Sequence, residues 1–179
     1  MHDKKQPRYD LPQAAPEPLR LVQRFVNTID LSHDREWLTG WLAGEGLAEA
    51  RDDDLERART LREAVRELLY ANNGQGRPGD PAAALGAAAD AALLSIDFTT
   101  VSIVPRATGI DGILGRIAVV CLEAMKGGTW PRLKCCRNVD CRWAFYDYSK
   151  NRSATWCSMQ ICGNRRKTKA YRRRRSFDE

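Results

Sequence analysis

Four cysteines in the last quarter of the chain have the spacing of a metal site. Cys136 and Cys141 are separated by four residues, fifteen residues follow, and Cys157 and Cys162 repeat the four-residue spacing. Two close cysteine pairs can place four thiolates at the corners of a tetrahedron around one Zn²⁺. Because four protein ligands close the coordination shell and leave no position for water, the predicted site is structural rather than catalytic.

Two alternatives bear on this assignment. Paired cysteines can instead form disulfides, but disulfides persist in oxidising compartments, and residues 1–7 lack the apolar core of a signal peptide. We therefore expect zinc and a cytoplasmic protein. Cys135 directly precedes Cys136, so the first ligand is ambiguous, and Cys136 is favoured because it makes both pairs equally spaced. Cys121 has the position of a buried small hydrophobe on a helix.

The segment between the two cysteine pairs has the pattern of a β-hairpin. Residues 142–148 are rich in aromatic side chains, residues 149–153 supply turn formers, and residues 154–156 lead back to the second pair. We expect a miniature core around the metal that contains Trp143, Phe145, Tyr146 and Trp156.

Positive charge is concentrated around and after these cysteines. Residues 132–175 contain fourteen Lys or Arg and two acids, a balance of +12, whereas residues 1–131 have a balance of −4. Eight of the basic residues fall between residues 165 and 175, where there is no acid, which predicts a solvated basic helix. Such a distribution is typical of a phosphate-binding surface.

Several short motifs in this region resemble a known family. Cys162-Gly163-Asn164-Arg165, preceded by Trp156-Cys157-Ser158-Met159 and by the stretch from Trp143 to Asp147, resembles the CGNR-type zinc finger, which is named for that tetrapeptide. The fingers of that family lie at the C-terminus of bacterial proteins regarded as stress-induced transcription regulators. The resemblance implies a cytoplasmic, zinc-containing, DNA-binding protein. It also favours Cys136 as the ligand, because family members usually have an apolar residue where this chain has Cys135.

The preceding part of the chain has the pattern of a helical domain. Phe25-Val26-Asn27-Thr28, followed by Trp41-Leu42 and Gly46-Leu47, is similar to the commonest motif of the helical domain that accompanies the finger in that family. Apolar residues at helical spacing independently predict helices that begin near Leu19, Arg35, Asp52, Pro81 and Asp111, the second capped by Asp34. Alternation over residues 96–98 and 101–104 predicts a short hairpin or two small strands.

These patterns together predict the fold class and its division into parts. We expect a mainly α protein with a small β-hairpin, in which a treble-clef-like zinc finger ending in a basic helix follows a helical domain. Residues 1–18, with four prolines, are expected to be disordered. The helical domain is predicted over residues 19–130, where it is apolar enough to fold alone, and the finger over residues 131–175.

The leading functional prediction is a DNA-binding transcription regulator. The expected contacts to DNA are Lys150, Asn151 and Arg152 at the hairpin tip and, after the last cysteine, Asn164, Arg165, Arg166, Lys169, Arg172 and Arg173. Asn164 is also expected to cap the basic helix. An RNA-binding protein is the alternative, with Tyr146, Tyr148 and Tyr171 stacking on unpaired bases.

The sequence offers less support for other classes of function. An enzyme is not expected, because no nucleophile and base stand at catalytic spacing, and no apolar run approaches the length of about 18 residues that a membrane span needs. A homodimer is compatible with a single short module, although no coiled-coil heptad is present. A pocket for a small-molecule effector is a further possibility, and its lining residues would be Asn27, Thr28, Trp37 and Trp41; capping or buried hydrogen bonding is the alternative role for Asn27 and Thr28.

Overall fold

The computed structural model describes residues 10–76 and 80–164. Within them, the α-helices are α1 (Leu19–Val26), α2 (Leu38–Gly44), α3 (Asp52–Asn72), α4 (Pro81–Ala91) and α5 (Gly109–Lys126). The strands are β1 (Ile29–Asp30), β2 (Arg35–Glu36), β3 (Leu94–Asp97), β4 (Ser102–Pro105), β5 (Leu133–Cys135) and β6 (Ala144–Tyr146). They pair in order as three antiparallel two-stranded sheets. The predicted mainly α fold is therefore confirmed, and no helix of the described residues is long and apolar enough to cross a membrane.

The helices form where the sequence places apolar residues at helical spacing. Val22, Phe25 and Val26 of α1 are fully buried, and they join the buried faces of α3 and α5 in one core. The long helix α3 begins with three aspartates, where negative charge stabilises the positive end of the helix dipole. The Asp54 carboxylate also accepts a hydrogen bond from the backbone N–H of Arg51.

The second helix begins later than the sequence predicts. Arg35 and Glu36 pair with β1 instead of joining the helix, and Asp34 has a left-handed φ of 49°, so it does not cap α2. Trp37 is the N-cap instead, and the preceding Glu36 carboxylate accepts a hydrogen bond from the backbone N–H of Leu38 at 3.2 Å. The short strands form because the turn between them is closed locally by the Asp30 side chain.

The β3–β4 hairpin is anchored at its base to α5. The backbone N–H groups of Arg106 and Ala107 donate to the carbonyl of Ala92, which fixes the hairpin's root next to the end of α4. A Cβ atom at Gly115 of α5 would lie 2.2 Å from that of Ala92, so glycine permits the close approach of helix and hairpin root. Both strands of the hairpin are half-buried except at Ile96, and the tip residues Phe98 and Val101 are exposed.

One hydrophobic core runs through the helices and into the cysteine-rich segment. Leu133, Cys135, Ala144 and Tyr146 belong to the same cluster of buried residues as the helices. The predicted boundary near residue 131 therefore does not separate two cores, and independent folding of the helical part stays a prediction. The shared core follows from the strand period of two, which points alternate residues of β5 and β6 at the helices.

The segment before α1 is ordered over the residues that the structure describes. We expected residues 1–18 to be disordered, but Ala15 is fully buried and its N–H donates to the Gln23 side chain at 2.6 Å. The carbonyl of Gln13 accepts the backbone N–H of Tyr146 at 2.9 Å, so the segment covers the outer edge of β6. The prolines of this segment are therefore compatible with an ordered conformation. Residues 1–9 lie outside the described residues.

Candidate metal centre

Four cysteine side chains meet at one point in the C-terminal part. The Sγ atoms of Cys136, Cys141, Cys157 and Cys162 all lie within 4.8 Å of one another. The distance is 3.8 Å between the sulfurs of Cys141 and Cys157, and also between those of Cys157 and Cys162. With Zn–S bonds of about 2.3 Å, a tetrahedral site requires sulfurs about 3.8 Å apart. The donor set and its geometry therefore fit a single zinc ion.

Two compact turns present the ligands. The first lies between β5 and β6, where the backbone N–H groups of Cys141 and Arg142 both donate to the carbonyl of Asn138 at 2.9 Å. The second turn is capped by Ser158, whose hydroxyl accepts the N–H of Ile161 and whose carbonyl accepts that of Cys162.

The last ligand, Cys162, lies on a π-helical turn, Met159–Gly163, whose N-cap is Ser158. The order of turn, strand and helical turn agrees with the predicted treble-clef-like finger. The expected basic helix, including Arg165, Arg166, Lys169, Arg172 and Arg173, lies outside the described residues. Asn164 ends this turn with helical dihedral angles and is exposed.

The thiols influence one another's protonation. Hydrogen bonds from Cys141 and Cys157 lower the pKa of the Cys136 thiol. The same hydrogen bonds raise the pKa of Cys141 and of Cys157, because each must keep its proton to donate it. The negative charge of one thiolate makes deprotonation of the neighbouring thiols less favourable. A divalent cation such as Zn²⁺ removes this effect because it stabilises all four thiolates together.

The choice between Cys135 and Cys136 follows from the strand geometry. Cys136 belongs to a small cluster with Phe145, Cys157 and Cys162, whereas Cys135 is fully buried in the main core. Burial raises the pKa of the Cys135 thiol to about 12, which suits a side chain that packs and does not bind metal. Cys121 behaves in the same way on α5, with a pKa also raised by burial to about 12.

The strand pairing in the finger differs from the predicted hairpin. The aromatic strand β6 pairs with β5, before the first cysteine pair, and not with residues 154–156. The carbonyl of Thr155 is instead used by the N–H of Arg137 and by the side chain of Asn73. The miniature core around the cysteines contains Phe145, Trp143 and Trp156, as expected, but Tyr146 points into the main core.

Asn27 on the α1 side joins the helices to the finger. Its Oδ1 accepts the backbone N–H of Ala144 at 2.7 Å, and its Nδ2 donates to the carbonyl of the same residue at 2.9 Å. Gln23 adds a second donor to that carbonyl at 3.2 Å. The Asn27 side chain thereby replaces a neighbouring strand for β6, and all of these groups are buried.

Two arginines of α3 occupy the interior beside these amides. Arg66 is fully buried and donates to the carbonyls of Val26 and Arg142, which joins the end of α1 to the first metal-binding turn. Arg62 donates to Thr28 and to Glu36. Both arginines pair with Glu63; burial alone would raise the pKa of that carboxyl, but the charges of Arg66 and Arg62 lower it overall.

The C-terminal end of α3 holds the finger through side-chain amides. Asn73 donates to the carbonyl of Cys135 at 2.7 Å and to that of Thr155 at 3.0 Å. Its own carbonyl accepts two hydrogen bonds from the Arg137 guanidinium. Asn72 donates to the carbonyls of Trp130 and Leu133, both at 2.9 Å.

Four of the finger's basic residues serve its internal structure. The buried Lys134 pairs with Asp147 at 2.8 Å, and Arg132 donates to the carbonyls of Asp147 and Ser149. Burial acts to raise the pKa of Asp147, but hydrogen bonds from Lys134 and Ser149 lower it overall. Arg137 is bound by Asn73, and a further basic side chain, that of Arg142, lies on the Tyr70 ring and pairs with Glu67.

The remaining basic residues of the described finger lie at its tip. Lys150, Asn151 and Arg152 are exposed on a loop that Asp147 and Lys134 close from inside, since Lys134 also donates to the carbonyls of Arg152 and Ala154. The tip therefore keeps the accessibility expected of it, although the balance of +12 overstates the charge that faces outward.

The four residues expected at an effector pocket have different environments. The polar atoms of Asn27 and Thr28 are engaged inside the protein, Thr28 as donor to Phe25 and acceptor from Arg62. This favours the alternative role of buried hydrogen-bond partners for both residues. Trp41 is buried against Phe25 and Trp37 is half-buried, and a ligand contact there stays a prediction.

Comparisons with protein families agree with this architecture. Residues 132–175 match the model "CGNR zinc finger", and residues 19–111 match the model ABATE, "Putative stress-induced transcription regulator". The chain belongs to the ABATE family. A search of curated proteins finds no match. Together with the sulfur geometry, the finger match identifies a centre for one structural zinc ion at the four cysteines.

Several residues that build this ABATE protein's centre were not singled out from the sequence. Gln23, Arg66 and Asn73 attach the finger to the helices, yet Gln23 and Arg66 stand in ordinary helical stretches and Asn73 stands in the Gly- and Asn-rich segment that follows α3. One signal was present for Arg62 and Arg66, because both fall on the apolar face of α3 with Leu61, Val65 and Leu69. Charged side chains on such a face require partners in the interior.

Proposed function

We propose that this ABATE protein regulates transcription by binding duplex DNA through its zinc finger. The observation that carries the proposal is the exposed tip Lys150–Arg152 on a loop that a buried ion pair closes. A fixed loop presents cationic and amide side chains with little loss of conformational freedom on binding. Lysine and arginine supply affinity for phosphates, while asparagine and arginine can also read base edges.

The distribution of charge supports a surface that continues beyond the tip. Arg132, Lys134, Arg137 and Arg142 have partners inside the protein, so they contribute little to a DNA-binding surface. The remaining positive charge of the finger then consists of Lys150, Arg152 and the eight basic residues of segment 165–175. In this proposal Asn164, Arg165, Arg166, Lys169, Arg172 and Arg173 provide most of the contacts.

The environment of the finger's tyrosines favours DNA over unpaired RNA. Tyr146 is buried, and its ring packs edge-on against Tyr148. The Tyr148 hydroxyl donates to the carbonyl of Ala14. Of the three tyrosines expected to stack on bases, Tyr146 is therefore unavailable, Tyr148 is held by the N-terminal segment, and Tyr171 lies outside the described residues.

Fluorescence anisotropy with the zinc-loaded full chain tests the proposal. We expect duplex DNA to bind, with log K falling with log salt by about 0.9 for each phosphate neutralised. Lys150→Ala with Arg152→Ala should weaken binding and reduce that slope by about 2. Arg172→Ala with Arg173→Ala should do the same.

The matched control removes two cations from the helical part, in Arg59→Ala with Arg116→Ala. We expect it to leave both the affinity and the slope nearly unchanged. Equal losses in the control and finger variants would contradict a finger-based interface. Preferential binding of structured RNA in direct competition would contradict DNA as the partner.

A further inference from the structure

The β3–β4 hairpin has one apolar face. Cross-strand partners point to the same face, and the register pairs Ile96 with Ile103 and Leu94 with Pro105. Phe98 and Val101 follow at the tip. We call these six residues the hairpin face. Pro105 lies at the anchored root near Gly115, whereas Ile96, Phe98 and Val101 are exposed.

The outer part of the hairpin face is strongly exposed. Phe98 is 83% exposed, Val101 is 84% exposed and Ile96 is 62% exposed. Leu93, which immediately precedes β3, is 65% exposed. Leu93 and the three hairpin-face side chains together present about 450 Å² of apolar surface, an area in the range of the largest apolar patch of a protein, which is often functional.

The tip that presents this surface is held in one conformation. The Asp97 carboxylate accepts hydrogen bonds from the backbone N–H of Thr99 at 2.8 Å and from the Thr100 hydroxyl at 2.9 Å. The Thr100 and Ser102 hydroxyls lie 2.7 Å apart in a further hydrogen bond. These hydrogen bonds close the turn that contains Phe98 and Val101. The two side chains are therefore held in exposed positions at the tip.

The hairpin also has open edges. Among the described residues, β3 pairs only with β4 and β4 only with β3, so each strand has one edge whose backbone groups lack a strand partner. An open apolar edge of this kind is a template for pairing with another strand. An isolated two-stranded hairpin also gains stability from such an addition.

We propose that the hairpin face is the dimerisation surface of this protein, where the same hairpin of a second copy packs about a two-fold axis. The stretch 93–105 contains a single charged residue, Asp97, and its carboxylate is engaged by the turn. Two identical surfaces can therefore meet without repulsion, and nothing in the patch selects a charged partner. Antiparallel pairing of like strands is compatible with two-fold symmetry, in which both copies use the same surface.

The area of the patch agrees with this partner. The exposed side chains of two copies amount to about 900 Å², and the strand backbones and half-buried neighbours such as Ile103 add to it. The sum approaches the 1,200–2,000 Å² of roughly standard stable interfaces. The hairpin root meets α5 at Gly115 while the finger follows the other end of α5 along the chain, so we expect hairpin pairing to leave both fingers accessible.

Sedimentation equilibrium of the zinc-loaded full chain without nucleic acid tests this proposal separately from DNA binding. We expect a dimer at micromolar concentration. Phe98→Ser with Val101→Ser should weaken dimerisation at least tenfold without changing the far-UV circular dichroism spectrum or the zinc content, because both side chains are exposed.

The matched control is Leu122→Ser with Val139→Ser, which replaces two exposed apolar residues elsewhere and should remain dimeric. A second variant, Phe98→Glu, should also give a monomer, since it places like charges next to each other across the two-fold axis. A monomeric wild-type chain at 100-fold higher concentration, roughly 100 μM, would overturn the proposal. So would a dimer that both hairpin variants leave unchanged.

Discussion

Cys135 and Cys136 are neighbours in the chain, and they perform unrelated tasks. The first is buried among the apolar side chains of the helical core, and the second lies among the metal ligands. One residue along a strand reverses the face to which a side chain points. The pair therefore offers a comparison in which two cysteines differ only in what they contact.

Serine substitution at each position separates metal binding from packing. We expect Cys136→Ser to lose most of its zinc, because one of four thiolates is removed. Cys135→Ser should retain one equivalent of zinc, although it is less stable since it buries a hydroxyl in an apolar core. Metal analysis of protein purified without chelator measures both. Full zinc in Cys136→Ser, or zinc loss confined to Cys135→Ser, would reverse the ligand assignment.

Single residues also show how far the sequence determines this centre. The spacing of the cysteines predicts the ligands, because a tetrahedral ion imposes local geometry. The partner of Asn27 could not be predicted in the same way, since Ala144 is 117 residues away. A buried amide side chain must have a hydrogen-bond partner, but its sequence position does not identify that partner. Here the partner is a backbone group, which every residue has, so no residue type in the sequence points to it.

At the scale of elements, the helices were predictable and the finger's strands were not. Apolar periodicity places α1, α3 and α5 with small errors at their ends. The aromatic strand β6 had two possible partners, and only the helical core decides between them. β5 is apolar enough to lie against that core, whereas residues 154–156 use a carbonyl to bind Asn73.

The loop that carries the exposed tip depends on a buried lysine. Lys134→Met would leave the Asp147 carboxylate without its cation, and removing one member of a buried pair costs about 3 kcal/mol. Lys126→Met is the matched control, because its ion pair with Glu123 is exposed and worth less than about 1 kcal/mol. Denaturant unfolding in the presence of zinc compares the two. Equal destabilisation would show that the Lys134–Asp147 pair does not close the loop.

At the scale of the whole molecule, finger and helices share one core, and we expect them to unfold as one unit. The side chains of Asn27, Arg66, Asn72 and Asn73 donate hydrogen bonds from the helical part to the finger; we call these bonds the clamps. Separating the two parts would therefore break the clamps and expose apolar surface. The acidic helical part and the basic finger differ in charge, but charge does not define a folding unit. The core was predicted in two pieces because composition shifts near residue 131 while packing does not.

Zinc removal should therefore destabilise the helices as well as the finger. We expect a chelator to lower the melting temperature of the helical signal by about 10 °C or more, in one transition, because the ion binds only the folded state. Far-UV circular dichroism of the full chain measures this. The control is Cys136→Ser, in which the chelator should change little. An unchanged helical transition, with zinc fully removed, would indicate two independent folding units.

The clamps between helices and finger have one further property. Asn27, Arg66, Asn72 and Asn73 all end on backbone atoms of the finger, and the identities of the finger's own side chains do not enter these bonds. These four attachments of the finger thus use its main chain, whereas the tip is exposed through its side chains. Substitutions at the tip leave all of these hydrogen bonds in place. The binding preference of the tip can therefore change without loss of the bonds that hold the finger to the helices.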